Sequence, residues 1–223
     1  MPPGLNKNKT NDYITNPKEN TIETPELLCN VIYDTLLEHE CLDIIKYDYV
    51  LDIGCGYGNL SSIFIDTFKC VGIDYNDYSK EYPGKFIHKN FFNIIDKKEL
   101  GHGNPLIICN PPWNNGEKKE DNRERFGKRK YLPEMFLRKI FTLFGENVSV
   151  ILLTSYTLLM NQSIRSERWR WIRDSHFKIT SILQTPLDIF PNVKMWNHVL
   201  FFNDIGVKLE NLWFIPEKYF IKM

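Results

Sequence analysis

Residues 50–60 read Val50-Leu51-Asp52-Ile53-Gly54-Cys55-Gly56-Tyr57-Gly58-Asn59-Leu60, and the two halves of the stretch ask for opposite backbone geometries. Val50, Leu51 and Ile53 predict a short buried strand. Gly54, Gly56 and Gly58 permit a tight turn with backbone N–H groups facing outward. Leu60, Ile63 and Phe64 then carry the spacing of a helix packed back on the strand. Strand, glycine turn and helix N-terminus together make a cradle for a nucleotide-like ligand. Asp52 stands two residues before the first glycine, where a buried carboxylate is costly unless a cation such as a ligand ammonium compensates it. A dinucleotide fingerprint would place its third glycine at 59, which is Asn59 here. An ordinary glycine-rich βα turn, or an unrelated Rossmann cofactor site, fits the same residues.

The rest of the chain extends an α/β pattern around this unit. Its 223 residues suffice for one α/β domain with a substantial core. Residues 1–21 carry little apolar content and are expected to form a disordered arm, with 22–223 as a single domain. Thr24 and Pro25 read as N-cap and first residue of a helix whose stripe is Leu27, Leu28, Val31, Ile32, Leu36 and Leu37. Residues 69–74 predict a second strand ending in Asp74, 20 residues after Gly54, where a carboxylate can accept from ribose hydroxyls. Residues 86–90 predict a third strand running into Phe91 and Phe92. Helices are expected over 131–144, ended by Gly145, and over 163–175, with strands at 149–154, 179–184 and 198–203; the tail 207–223 reads as one more strand or a short helix.

Lysine plus arginine and aspartate plus glutamate both number 28, so no global charge marks a nucleic-acid binder and any basic surface must be local. The best candidates are Arg125, Lys128, Arg129 and Lys130, late in the charged segment 116–130, and Arg165 in the arginine-rich helix, whose arginines equally suit a solvated face. Five cysteines without a C-x-x-C pair, and five histidines at no metal-ligand spacing, predict a reduced intracellular protein without a metal. No apolar run approaches the length of a membrane span, and nothing argues for secretion.

The second decisive stretch is 106–113, Leu106-Ile107-Ile108-Cys109-Asn110-Pro111-Pro112-Trp113. An apolar strand runs straight into a loop that two prolines make rigid, at the strand end where open parallel sheets bind ligands. The exocyclic amine of a base is a poor nucleophile because its lone pair is delocalised into the ring. The Asn110 side-chain oxygen and the fixed Pro111 carbonyl are suited to accept its two hydrogens, while Trp113 could stack on the ring.

Asp-x-Gly-x-Gly-x-Gly followed by Asn-Pro-Pro-Trp resembles the motif pair of the class I S-adenosylmethionine-dependent methyltransferases that act on planar nitrogen. The downstream order, closing on Asp188-Ile189-Phe190-Pro191 and Trp196-Asn197-His198, is similar to the adenine-N6 DNA methyltransferases of the type I and Eco57I-like kinds. The resemblance covers roughly residues 22–203. It implies a Rossmann-like seven-stranded sheet, mostly parallel with an antiparallel last strand and helices on both faces. It implies S-adenosylmethionine as cofactor, seated by Thr24, Pro25, Asp52, Gly54, Cys55, Gly56, Gly58, Asp74, Tyr75, Asn90 and Phe91. It assigns Asn110, Pro111, Pro112 and Trp113 to catalysis. Phe190, or alternatively Trp196, would pack on the face of a flipped-out adenine opposite Trp113. Asn90 departs from the family's usual Asp, although its amide oxygen can still accept. Relatives that read a DNA sequence usually carry a separate target-recognition domain, and the stretch after Asn203 is too short to be one, so either segment 116–130 with the arginine-rich helix supplies a modest sequence preference or a partner specificity subunit does. A ribosomal or transfer RNA base methyltransferase shares both motifs. A release-factor glutamine methyltransferase or a non-catalytic cofactor-binding subunit fits less well.

Overall fold

The computed structural model describes residues 23–42, 46–113, 131–159, 166–190, 195–203 and 205. Four helices and seven strands are formed there: α1 Glu26–Glu38, β1 Tyr49–Ile53, α2 Asn59–Ser62, β2 Cys70–Asp74, β3 Lys85–His88, β4 Pro105–Cys109, α3 Leu132–Phe144, β5 Val150–Ser155, α4 Glu167–Asp174, β6 Ile179–Gln184 and β7 Asn197–Phe202. The strands make one sheet in the order β3-β2-β1-β4-β5-β7-β6. β3, β2, β1, β4 and β5 run parallel; β7 pairs antiparallel with both β5 and β6. This is the mostly parallel, Rossmann-like sheet with an antiparallel last strand that the pattern predicts.

The apolar runs of β1, β4 and β5 are buried along their whole length because both faces of the sheet are covered. Alternate residues serve opposite cores. Val50, Leu106, Ile108, Ile151 and Leu153 pack with Leu28, Ile32, Leu60 and Phe64 on one side. Leu51, Ile53, Ile107, Val150 and Leu152 pack with Leu137, Ile140 and Phe141 of α3 on the other. The chain leaves β1 toward β2 and β3 on one flank, and β4 and β5 fill the other. The strand order therefore reverses between β1 and β4, which opens a crevice at their carboxyl ends.

Local boundaries differ from the pattern in four places. Pro25 rather than Thr24 caps α1, and no side chain caps it; Thr24 turns its hydroxyl elsewhere, as described below. The helix after the glycine turn is one turn long, Asn59–Ser62, before the backbone tightens into turns. β3 ends at His88, and Asn90 instead caps a 3-10 turn, Phe91–Asn93. Finally, α4 starts at Glu167 behind Ser166, whose hydroxyl accepts from Trp169 N. The expectations for residues 1–21, 116–130 and 207–223, and for Arg125, Lys128, Arg129, Lys130 and Arg165, lie outside the described residues.

Candidate active site

Register places the two decisive stretches side by side. Ile53, the last residue of β1, pairs with Cys109, the last of β4, so Gly54 and Asn110 leave adjacent strands at the same level. A methyl group placed on Gly54 would stand 3.8 Å from Pro111 Cα and 3.9 Å from the Asn110 carbonyl oxygen. The glycine turn and the Asn-Pro-Pro turn thus form the two lips of the crevice.

Gly58 shows why the turn needs glycine. Its φ is +85°, and a Cβ there would approach Pro83 Cδ to 2.6 Å and the Tyr82 ring to 2.9 Å. The same Tyr82 ring covers Gly72 in the middle of β2, where a Cβ would stand 2.5 Å away. Tyr82 carries no motif signal. A glycine inside a strand is its sole trace in the sequence.

Asp52 is 2% exposed, and its Oδ2 has no hydrogen-bond partner among the described residues. Burial pushes its carboxyl up to about 7, offset in part by Ser61, whose side chain and backbone approach it. The thiols of Cys29, Cys55, Cys70 and Cys109 surround this group at longer range. Burial first, and the Asp52 charge second, push all four up, which keeps them protonated. A buried acid with an orphaned oxygen and, among the described residues, no cation beside it is unsatisfied chemistry. The donor set fits a ligand ammonium.

Asp74 closes β2 on the same edge. Its Oδ2 accepts from Gly56 N at 3.1 Å and its Oδ1 from Asn76 N at 2.8 Å. Burial raises its carboxyl, and the backbone bonds from Asn76 and Gly56 oppose the rise. Each oxygen keeps a lone pair for a ligand hydroxyl. Tyr75 beside it is 71% exposed, an aromatic left open at the edge.

Asn110 Nδ2 donates to Thr24 Oγ1 at 3.0 Å, which accounts for the uncapped start of α1. Asn59 Nδ2 in turn donates to Glu23 Oε2 at 2.9 Å and to the Thr24 carbonyl at 3.4 Å. Pro111 is buried and Pro112 exposed, so the proline pair spans the rim.

Two aromatic expectations need correction. Phe190 is 1% exposed and meets Trp113 edge to face, ring centroids 5.0 Å apart at 83°. No ring can stand between them, because Ile189 and Phe190 both fold into the core. Trp196, the alternative, is 48% exposed and precedes β7. Phe91 is likewise buried, stacked on Phe136 at 5.7 Å, so its ring belongs to the core. The Asn90 side-chain oxygen accepts from Phe92 N at 3.0 Å and keeps one lone pair, so its expected acceptor capacity remains. Trp113 is half-buried, and its Nε1 lacks a partner among the described residues.

A second cluster braces the neighbouring β5 end. Tyr131 Oη lies 2.6 Å from Ser155 Oγ, and Ser155 Oγ lies 2.7 Å from Thr157 Oγ1. Arg168 donates from Nε to Glu134 Oε2 at 2.6 Å and from Nη1 to the Thr157 carbonyl at 2.9 Å. Arg168 therefore serves the fold rather than a solvated face. Among the described residues no group of three or more His, Cys, Asp or Glu could hold a metal, and no helix is long and apolar enough to cross a membrane.

No protein-family model matches the chain, and no curated protein matches it. Solved structures do. A modification subunit of a putative type I restriction enzyme from Vibrio vulnificus superposes with a TM-score of 0.55 at 14% identity, over 87% of this chain and 46% of that one. A putative class I S-adenosylmethionine-dependent methyltransferase from Listeria monocytogenes gives 0.57 at 15% identity, over 93% and 72%. A putative RNA methyltransferase from Pyrococcus horikoshii gives 0.53 at 15% identity, over 93% and 100%. The chain thus spans about half the length of the Vibrio subunit. At these identities the likeness establishes the fold: a seven-stranded methyltransferase sheet.

Proposed function

We propose that the chain is an S-adenosylmethionine-dependent methyltransferase that modifies the exocyclic N6 amine of adenine in nucleic acid, DNA being the preferred polymer. The observation that carries this reading is the abutment of two turns at the β1–β4 crevice, a glycine turn over an unsatisfied buried carboxylate and an Asn-Pro-Pro turn. The sulfonium cofactor would supply the electrophilic methyl group.

Each protein group then has a defined task. Asp52 Oδ2 pairs with the ligand ammonium, the glycine turn and Asp74 hold the ribose, and Tyr75 with Asn90 borders the adenine moiety. Pro25 and the backbone of Thr24 close the methionine end, which leaves the Thr24 hydroxyl to Asn110. On the substrate side, the Asn110 side-chain oxygen and the Pro111 carbonyl accept the two amine hydrogens. This draws the lone pair out of conjugation as the methyl arrives. Trp113 contributes its indole to the wall of the base site. Positioning and polarisation carry the reaction, and the base must be flipped out or single-stranded to reach the crevice. The Vibrio likeness supports a DNA substrate and a partner subunit that reads sequence. RNA is the second reading, favoured because the Pyrococcus protein is matched over its whole length.

The test is incubation of the full chain with isotopically labelled S-adenosylmethionine and a mixture of duplex DNA, single-stranded DNA and RNA, followed by mass spectrometry of nucleosides. Label in N6-methyldeoxyadenosine is expected, reduced about 100-fold or more by Asn110→Ala. Label in an RNA base moves the conclusion to the second reading, and absence of any methylated base overturns both.

A further inference from the structure

Asn110 needs more than its place at a strand end. A carboxamide presents an oxygen on one side and an NH2 on the other, and only the oxygen can accept an amine hydrogen. A side chain free to rotate would offer the wrong face for much of the time. Pro111 fixes the backbone after Asn110 but does nothing to the rotation of its side chain.

We propose that Thr24 is the positioning residue that sets this rotation, and that Asn59 sets Thr24 in turn. The inference rests on the function proposed above. Asn110 Nδ2 donates to Thr24 Oγ1 at 3.0 Å across 86 positions of sequence, which ties the NH2 to Thr24 and turns the oxygen away from it. Thr24 is 5% exposed, so the bond is shielded from water that would compete for it. Thr24 is itself anchored. Asn59, the residue that ends the glycine turn, reaches both Glu23 and the Thr24 carbonyl, and the Cys29 thiol lies 3.4 Å from the Asn59 carbonyl oxygen. The chain Asn59–Thr24–Asn110 therefore bridges the two lips of the crevice. It also gives Asn59, where a dinucleotide site would carry glycine, a task that glycine could not perform. Thr24 touches neither reacting atom in this scheme. It acts through Asn110, by holding one orientation out of two.

Three variants of the full chain test the bridge: Thr24→Val, which keeps the branched shape and loses the hydroxyl; Thr24→Ser, which keeps the hydroxyl; and Asn59→Ala. Two readouts are needed, steady-state methyl transfer and hydrogen exchange of the Asn110 side-chain NH2 followed by 15N NMR. The expected result for Thr24→Val is a kcat lower by about 10- to 100-fold with cofactor KM within about threefold, because a misaligned group slows the reacting step. Asn110 NH2 exchange should quicken at least about tenfold in the same variant, since the bond no longer protects it. Thr24→Ser should restore both, and Asn59→Ala should show a weaker form of both. A Thr24→Val protein that loses cofactor affinity while keeping its single-turnover rate would make Thr24 a cofactor ligand and overturn the inference. Unchanged Asn110 exchange would overturn it as well. Should the wild-type chain transfer no methyl group, the proposed function falls, and the exchange measurement alone then upholds or overturns the bridge.

Discussion

Among the described residues two carboxylates are buried, Asp52 at the β1 end and Glu134 in α3, and they are treated in opposite ways. Glu134 receives Arg138 Nε at 2.9 Å on one oxygen and Arg168 Nε at 2.6 Å on the other. Arg138 stacks over Trp171, and Arg168 lies over the Tyr131 ring while also donating to the Thr157 carbonyl. That carboxylate is satisfied from within the chain and locks α3, α4 and the β5 end together. Asp52 has an Oδ2 without a hydrogen-bond partner and no cation beside it among the described residues. The acid left without a full set of partners among the described residues is the one at the mouth of the crevice, where the proposed function places a ligand ammonium.

The contrast can be broken first at Asp52. Its carboxyl is raised from 3.8 to about 7 by burial, a displacement equivalent to about 4 kcal/mol. Because the folded state holds this proton more tightly than the unfolded chain, the ligand-free protein is most stable below pH 4 with respect to this group. It loses that stability as pH rises from 4 through 7. Asp52→Asn does not titrate, so urea unfolding at pH 8 should find the variant more stable than wild type by up to about 4 kcal/mol, the advantage vanishing near pH 4. A wild-type protein equally or more stable at pH 8 would mean that Asp52 has a cation partner after all.

Glu134→Ala should behave in the reverse sense. Removing it leaves Arg168 buried without its counter-charge, and unfolding should show a loss of about 3 kcal/mol, the low end of the range because Arg138 keeps some contact with water. Cofactor affinity should stay within about threefold, since no ligand contact is touched. Gly58→Ala acts on the ligand side of the comparison. Its positive φ and the approach of Pro83 should together cost about 2 kcal/mol in chemical denaturation, with weaker cofactor binding alongside. The smallest effect belongs to Ser166→Ala, which removes the cap of the helix that carries Arg168 to Glu134. A loss of about 1 kcal/mol is expected, without change in cofactor affinity.

What the sequence disclosed, and what it hid, follows the range of each signal. The strand, glycine turn and Asn-Pro-Pro loop were legible because each is a local pattern; the mostly parallel sheet came with the family resemblance, and its strand order rests on long-range pairing that no local pattern encodes. The Asp52 environment was legible too, since an acid inside an apolar strand is conspicuous. Thr24 was misread as a helix cap because its partner, Asn110, lies far along the chain and no periodicity encodes that bond. Phe190 was assigned to a base-stacking role from its place before the last strand. Yet facing Trp113 edge on in the core depends on packing that a linear pattern does not carry. The capping role of Asn90 was hidden for a local reason: its side chain bonds the nearest backbone N–H, that of Phe92, a choice no periodic pattern signals.

The claim that Asp52 seats a ligand cation is tested most directly by calorimetric titration of S-adenosylmethionine into the wild-type chain at pH 6, in two buffers of different ionisation enthalpy. With an Asp52 carboxyl near 7, about nine-tenths of a proton should be released per cofactor bound, and Asp52→Asn should release none and bind at least about 100-fold more weakly. Equal affinity in the two proteins, with no proton released by either, would contradict the account.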